Sequence, residues 1–220
     1  MELKFIFLII LGAVSLVYLI TLGFKPGLLQ FILKGCLMPL VLAVYISSVG
    51  TANIYQPVVF ALIFAWIGDV LLVRITNILW FKLGLASFLI GHIFYCVAMY
   101  AFILPFNIPV LLISAAVACC LGVIIYKFVK PGKQMKIPVI AYETIIMIMA
   151  IFALQLFITQ FIGNGLIFGI LIFAGSLCFV ASDTMLALRT FRRVKIYFAV
   201  MITYIAAQIL IALGFSMAGI

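Results

Sequence analysis

The chain is short of charge, above all of negative charge. Its 220 residues include four acidic side chains, one histidine and thirteen Lys or Arg, and only 8% are charged. No soluble domain of this length is built that way, because with 70% of residues hydrophobic the apolar surface far exceeds what one core can bury. Redox and metal patterns are also missing. The five cysteines form no CxxC pair and lie inside apolar runs, where they read as small hydrophobes in helix packing. The net charge of +9 would suit a nucleic-acid binder, but no soluble basic domain carries it, so nucleic acid is not an expected partner.

What is present is a succession of apolar runs of about 18–22 residues, the length that crosses ~30 Å of hydrocarbon as helix. The expected fold is all-α, a polytopic membrane helical bundle forming a single integral-membrane domain over residues 1–220. Eight transmembrane helices are predicted, at roughly 3–23, 28–49, 57–73, 81–104, 109–126, 137–158, 164–188 and 196–216. Turn signals such as Lys25-Pro26-Gly27, Lys130-Pro131-Gly132 and Gly163-Asn164-Gly165 separate them. The first run, Leu3–Leu22, lacks a small-x-small cleavage site and reads as a retained helix.

The cations sort by loop. Lys25 follows the first span; Arg74 and Lys82 the third; Lys127, Lys130, Lys133 and Lys136 the fifth; Arg189, Arg192, Arg193 and Lys195 the seventh. The loops after the second, fourth and sixth spans carry no charge. Positive residues mark cytoplasmic loops, which puts both termini outside the cytoplasm. The expected location is the bacterial inner (plasma) membrane. The lysine-rich loop 127–136 is a solvated cytoplasmic loop with a weak pull on anionic lipid.

Two segments repeat a pattern: Phe64-Ala-Trp-Ile-Gly-Asp-Val-Leu-Leu-Val-Arg74 and Phe179-Val-Ala-Ser-Asp-Thr-Met-Leu-Ala-Leu-Arg189. Each places one aspartate, Asp69 or Asp183, shortly before an arginine at the cytoplasmic end. By helix rise Asp69 lies roughly 7 Å inward from Arg74, and Asp183 roughly 9 Å from Arg189. Glu143 lies roughly 10 Å from Lys136, Lys34 roughly 13 Å from Lys25, and His92 roughly 15 Å from Lys82. Five ionisable groups on five spans therefore share the cytoplasmic half, and the outer half has none.

An ionisable group facing lipid near mid-bilayer costs ~2.5–3.5 kcal/mol, so such groups face the bundle interior, where they pair or line a cavity. A common depth predicts one polar cavity open to the cytoplasm. Lys34 or Glu143 alone would fit a plain interhelical hydrogen bond, and His92 a packed hydrogen-bonder. The matched aspartates point to function. Ser87 with Gly91, and Gly165 with Gly169, form small-residue faces suited to close helix contact. Most of the 21 Phe and 9 Tyr, together with Trp66 and Trp80, read as lipid-facing bulk and interface belt. The repeat hints at two four-helix parallel repeats, roughly 1–104 and 109–220.

Three segments together resemble the YhhN-like lysoplasmalogenase family of bacterial and animal integral-membrane enzymes. They are Ile67-Gly-Asp-Val-Leu-Leu72, Gly84-Leu-Ala-Ser-Phe-Leu-Ile-Gly-His-Ile-Phe-Tyr95 and Phe179-Val-Ala-Ser-Asp-Thr-Met-Leu186. The resemblance covers the full chain in order and spacing. It implies a membrane hydrolase that cleaves the vinyl-ether bond of lysoplasmalogens, lysoplasmenylethanolamine or lysoplasmenylcholine, to a fatty aldehyde and glycerophosphoethanolamine or glycerophosphocholine. The implied partners are the lysophospholipid substrate and membrane lipids.

That chemistry agrees with the residues. Acid opens a vinyl ether through an oxocarbenium, so one carboxylic acid must donate a proton and one carboxylate must stabilise the cation or activate water. Asp69 and Asp183 are the expected acid and base pair, with His92 as a third catalytic group. Tyr95 and Glu143 are supporting residues. Lys34, Arg74 and Arg189 are candidates for the substrate phosphate. No cofactor and no metal are expected: Asp69, His92, Glu143 and Asp183 would form an oxygen-rich set, but one histidine is thin for catalytic zinc. A proton-coupled membrane transporter of a small solute or lipid is the alternative, since paired membrane carboxylates and internal repeats serve carriers too.

The charge pattern makes its own prediction. A reporter fused after Ile220 will be active only if it functions outside the cytoplasm, and cytoplasmic activity would overturn the orientation.

Overall fold

The computed structural model describes residues 3–25, 27–74, 78–103, 105–162 and 165–218. Within them the chain is all-helical, with eight α-helices: α1 (Leu3–Thr21), α2 (Leu28–Val49), α3 (Gln56–Leu71), α4 (Ile78–Tyr100), α5 (Ile108–Val129), α6 (Lys136–Ile162), α7 (Leu166–Arg192) and α8 (Tyr197–Ser216). Seven are long and apolar enough to cross a membrane. The shortest, α3, has 16 residues, or roughly 24 Å. A 3₁₀ turn, Leu72–Arg74, continues it for roughly 6 Å more, so the eighth predicted span also reaches ~30 Å.

Expected and observed ends agree best where a breaker sits. Pro109 and Asn107 start α5, the Asn107 side chain accepting from the Val110 N–H at 3.2 Å. Agreement is poorer where hydropathy alone marks the boundary. α7 runs past the expected 188 to include Arg189 and Arg192 in its last turn. Cations there favour the helix C-terminus, so the helix continues into the interface after the apolar run stops.

The packing repeats between the halves. α1 packs on α2, α2 on α3 and α3 on α4; likewise α5 packs on α6, α6 on α7 and α7 on α8. Across the halves α2 meets α8, and its counterpart α6 meets α4. The two last pairs are tight for the same reason. A Cβ on Gly91 would stand 3.1 Å from the Ala61 carbonyl oxygen, and one on Gly175 3.1 Å from that of Ala207. Serine hydroxyls close the same contacts, Ser87 donating to the Phe64 carbonyl (2.6 Å) and Ser182 to that of Val200 (3.2 Å). Small residues let the backbones approach, and hydroxyl–backbone bonds hold them where water is absent. Gly169 serves α6·α7 contact, its missing Cβ falling 3.1 Å from the Phe157 Cα.

Repetition fails at one helix. α1 reaches across to α8, but its counterpart α5 leans on α7 and, among the described residues, makes no comparable contact with α4.

One contact sets the register of α2 on α3. Pro39 lies inside α2 and has no N–H to give, which leaves the Gly35 carbonyl without its helical donor. The indole N–H of Trp66 on α3 donates to that carbonyl at 2.8 Å. Trp66 is therefore more than belt aromatic: it supplies the bond that proline removes. Lys34 lies next to Gly35 in sequence, and Asp69 follows Trp66 by one helical turn, so this clamp faces the two side chains toward each other.

A double-mutant cycle tests the clamp. Trp66→Phe leaves an unpaired carbonyl and is expected to lower stability in detergent by about 1–3 kcal/mol. Pro39→Ala restores the backbone donor, so the same tryptophan change should cost clearly less in that background. Equal costs in both backgrounds would remove the proposed compensation.

Candidate active site

Asp69 is buried at 3% exposure on α3. One oxygen lies 3.2 Å from the Lys34 ammonium of α2. The other accepts from the Tyr204 hydroxyl of α8 at 2.7 Å. Behind Tyr204 the chain of bonds continues: Gln208 Nε2 donates to the Tyr204 oxygen (3.4 Å), and the Tyr95 hydroxyl donates to Gln208 Oε1 (2.7 Å). Tyr95, expected beside the aspartates, thus acts on Asp69 at two removes.

Asp183 on α7 has different company. Its Oδ2 accepts from the Tyr142 hydroxyl of α6 at 2.7 Å and lies 3.8 Å from His92 Nε2 of α4. His92 Nδ1 sits 2.7 Å from the Phe88 carbonyl oxygen. A carbonyl only accepts, so Nδ1 carries the proton, and in the neutral ring Nε2 presents a lone pair to Asp183. His92 is 2% exposed, and its Nε2 has no hydrogen-bond partner. Phe179 packs edge-on against His92 (4.9 Å) and Tyr204 (6.0 Å) and fills the space between the two clusters.

The pattern of partners is symmetric. Each aspartate takes one partner from the second helix of its own half, Lys34 or Tyr142, and one from the last helix of the other half, Tyr204 or His92. The chemistry of the partners is not symmetric. Asp69 has an ammonium and a hydroxyl, a donor set for an ionised carboxylate. Asp183 has one hydroxyl donor and, 3.8 Å away and outside hydrogen-bond distance, an imidazole lone pair where Asp69 has an ammonium, a set that leaves room for the protonated acid.

Instead of the single expected cavity there are two adjoining chambers, with Asp183 and Leu186 in the wall of both. One, with about 40 Å³ of open space, is lined by Lys34, Asp69, Asp183, Arg189, Tyr197 and Tyr204. The other, with about 60 Å³ of open space, is apolar apart from Tyr142, Glu143, Asp183 and Thr184 and is walled by Phe81, Leu85, Ile125 and Val129 among others. Arg189 reaches the mouth of the first chamber, its guanidinium 3.4 Å above the Tyr197 ring. Both residues also border a basic outer recess with Arg193 and Lys195.

One expected residue falls elsewhere, and one is not described. Glu143 lines the apolar chamber but makes no bond to either aspartate; its Oε1 is buried without a partner, facing α5 near Gly122. The side chain of Arg74 lies outside the described residues. Sequence reasoning assigned no role to Tyr142, Tyr204 or Gln208. Gln208 was detectable as an amide in an apolar span, with Tyr204 one turn before it on the same face; Tyr142 looked like ordinary aromatic bulk. Among the described residues no three His, Cys, Asp or Glu side chains gather as a metal-ligand set.

Comparison with known proteins agrees with this architecture at the family level. No curated protein matches the chain, and no solved structure does. The YhhN family model matches residues 29–215, a stretch that holds every site residue described above. The chain therefore belongs to the YhhN family, as a membrane protein of that family.

Proposed function

We propose that the protein hydrolyses the vinyl-ether bond of lysoplasmalogens, with Asp183 as the proton donor and Asp69 as the ionised carboxylate. The observation that carries this reading is the position of Asp183 between two chambers of opposite character. A lysoplasmalogen has a phosphate at one end, a hydrocarbon chain at the other, and the acid-labile bond between them. With the phosphate toward Lys34 and Arg189 and the chain in the apolar chamber, the vinyl ether lies across Asp183.

The steps follow from the groups present. The Asp183 proton passes to the alkene carbon that does not bear oxygen, and the π pair forms the new C–H bond. Positive charge then rests on the oxocarbenium, next to the carboxylates of Asp69 and the now ionised Asp183. Electrostatic stabilisation of this kind is strongest where water is excluded. Water adds to the cationic carbon and gives one proton to a nearby base; the His92 Nε2 lone pair is placed for that. The resulting hemiacetal breaks its bond to the glycerol oxygen. That oxygen takes up a proton, the hemiacetal hydroxyl loses one, and the products are the aldehyde and the glycerophospho alcohol. One water is consumed. Tyr142 holds Asp183 in position, and Tyr204 with Gln208 and Tyr95 holds Asp69.

The repeated packing of the halves also suits a carrier, so the test must separate chemistry from transport. Purified protein in proteoliposomes without an ion gradient is expected to release aldehyde from lysoplasmenylethanolamine, and none from lysophosphatidylethanolamine or a saturated alkyl-ether analogue. Solute accumulation with no aldehyde would favour the carrier. Asp183→Asn should lower the rate by roughly 10²–10⁴-fold, the usual contribution of a general acid or base. Asp69→Asn should also be severely impaired, with the protein still inserted. Full activity in either variant would remove that aspartate from the mechanism.

A further inference from the structure

Helix α5 is held at its ends and loose between them. At the outer end Gln155 of α6 brackets Asn107, its Oε1 accepting from the Asn107 N–H (3.1 Å) and its Nε2 donating to the Asn107 carbonyl (3.0 Å). At the cytoplasmic end Val129 is 1% exposed. Between them only Ser114 and Ala118 are buried. This is the helix at which the repeat fails, leaning to α7 where α1 closes on α8.

The consequence is a connected set of spaces. The apolar chamber at Asp183 shares Met147 and Val180 with a second, partly open cavity of about 300 Å³ between α5, α6 and α7. That cavity is bordered by Ala118, Leu121, Ala150 and Phe173. A groove of about 570 Å³ on the α5·α6 face shares Glu143 and Met147 with the chamber, and Ala118 and Ile151 with the second cavity. Along α7 the lining steps from Asp183 through Val180 and Leu177 to Phe173, roughly 15 Å of helix axis. The lining is apolar nearly throughout, and the chain of spaces begins at the apolar chamber, which meets across Asp183 the separate chamber lined by Lys34 and Arg189.

We propose that the space beneath α5 is a binding channel for the hydrocarbon chain of a single-chain phospholipid, running from Asp183 toward the outer end of the bundle. The α5·α6 groove is its opening to the bilayer. The occupant follows from the two ends: cations at one, a long apolar path at the other, and continuity with the candidate active site between them. Glu143 stands where chamber and groove meet, opposite the space that Gly122 leaves, and offers its unpartnered Oε1 to the polar part of a lipid passing laterally. The choice of a lysolipid rests on the hydrolase reading, but the channel is tested without turnover.

The probes are saturated alkyl-ether lysophosphatidylethanolamines of short and long chain, which no vinyl-ether chemistry consumes. Affinity is measured on the intact protein in nanodiscs by native mass spectrometry. Ala118→Trp fills the channel from α5, and Ala150→Trp fills it from α6. Each should weaken long-chain binding by roughly fourfold per methylene shut out, and leave the short-chain ligand unchanged. Retained short-chain binding also reports that the variant is folded, and with two variants one failure to fold leaves the other to decide. Leu16→Trp, on the exposed face of α1, should change neither. Long-chain affinity unaffected by both channel variants, or no dependence on chain length in the unaltered protein, would overturn the channel. Aldehyde release is independent of this outcome: its absence with chain-length-dependent, Trp-sensitive binding would remove the hydrolase reading and leave the channel standing.

Discussion

A carboxylate in the hydrocarbon layer must be met by donors from the protein, since an unpaired charge there is too costly to keep. Two aspartates lie there, on α3 and α7, and each takes its partners from two other helices. Lys34 and Tyr204 meet Asp69; Tyr142 and His92 meet Asp183. In each case one partner comes from the far half. The four helices that supply partners, α2, α4, α6 and α8, also make the main cross-half contacts, α2·α8 and α4·α6. The polar site and the joint between the halves are thus one structure.

The two halves match in packing and differ in chemistry. An ammonium in one half stands where a phenol stands in the other, and a phenol where an imidazole stands. That difference gives one aspartate a counter-ion and the other a lone pair. The structural departure falls on the same side: α5, in the half that contains Asp183, leaves open the apolar chamber. On the proposed reading the acid has to face the substrate, and the counter-ion-paired carboxylate belongs behind it. Both departures from symmetry serve that division.

Much of this was legible in the residues. Apolar length gave the eight helices, and the few ionisable groups marked the layer where the site lies, because burying them anywhere else has no compensation. Ser87 and Gly91 marked the tight α3·α4 pair, whereas Gly175 and Ser182, which close α7 on α8, went unread. What escaped were neutral groups whose role depends on a neighbour. Tyr142 and Tyr204 look like any aromatic residue in a membrane span until a carboxylate is seen at 2.7 Å. Trp66 read as belt aromatic because the carbonyl it satisfies is orphaned by Pro39, on another helix. Glu143, conspicuous as a charge, faces α5 and not the aspartates, since Tyr142 beside it takes the inward position. No periodicity signals the failure of α5 to close on α4.

The central claim is that a buried carboxylic acid gives its proton to an alkene carbon, and isotope incorporation tests that step directly. Turnover of lysoplasmenylethanolamine in deuterium oxide should yield aldehyde carrying one deuterium on the carbon next to the carbonyl, on a single stereochemical face. Aldehyde formed without deuterium at that carbon, or with no preference of face, would contradict protonation by Asp183.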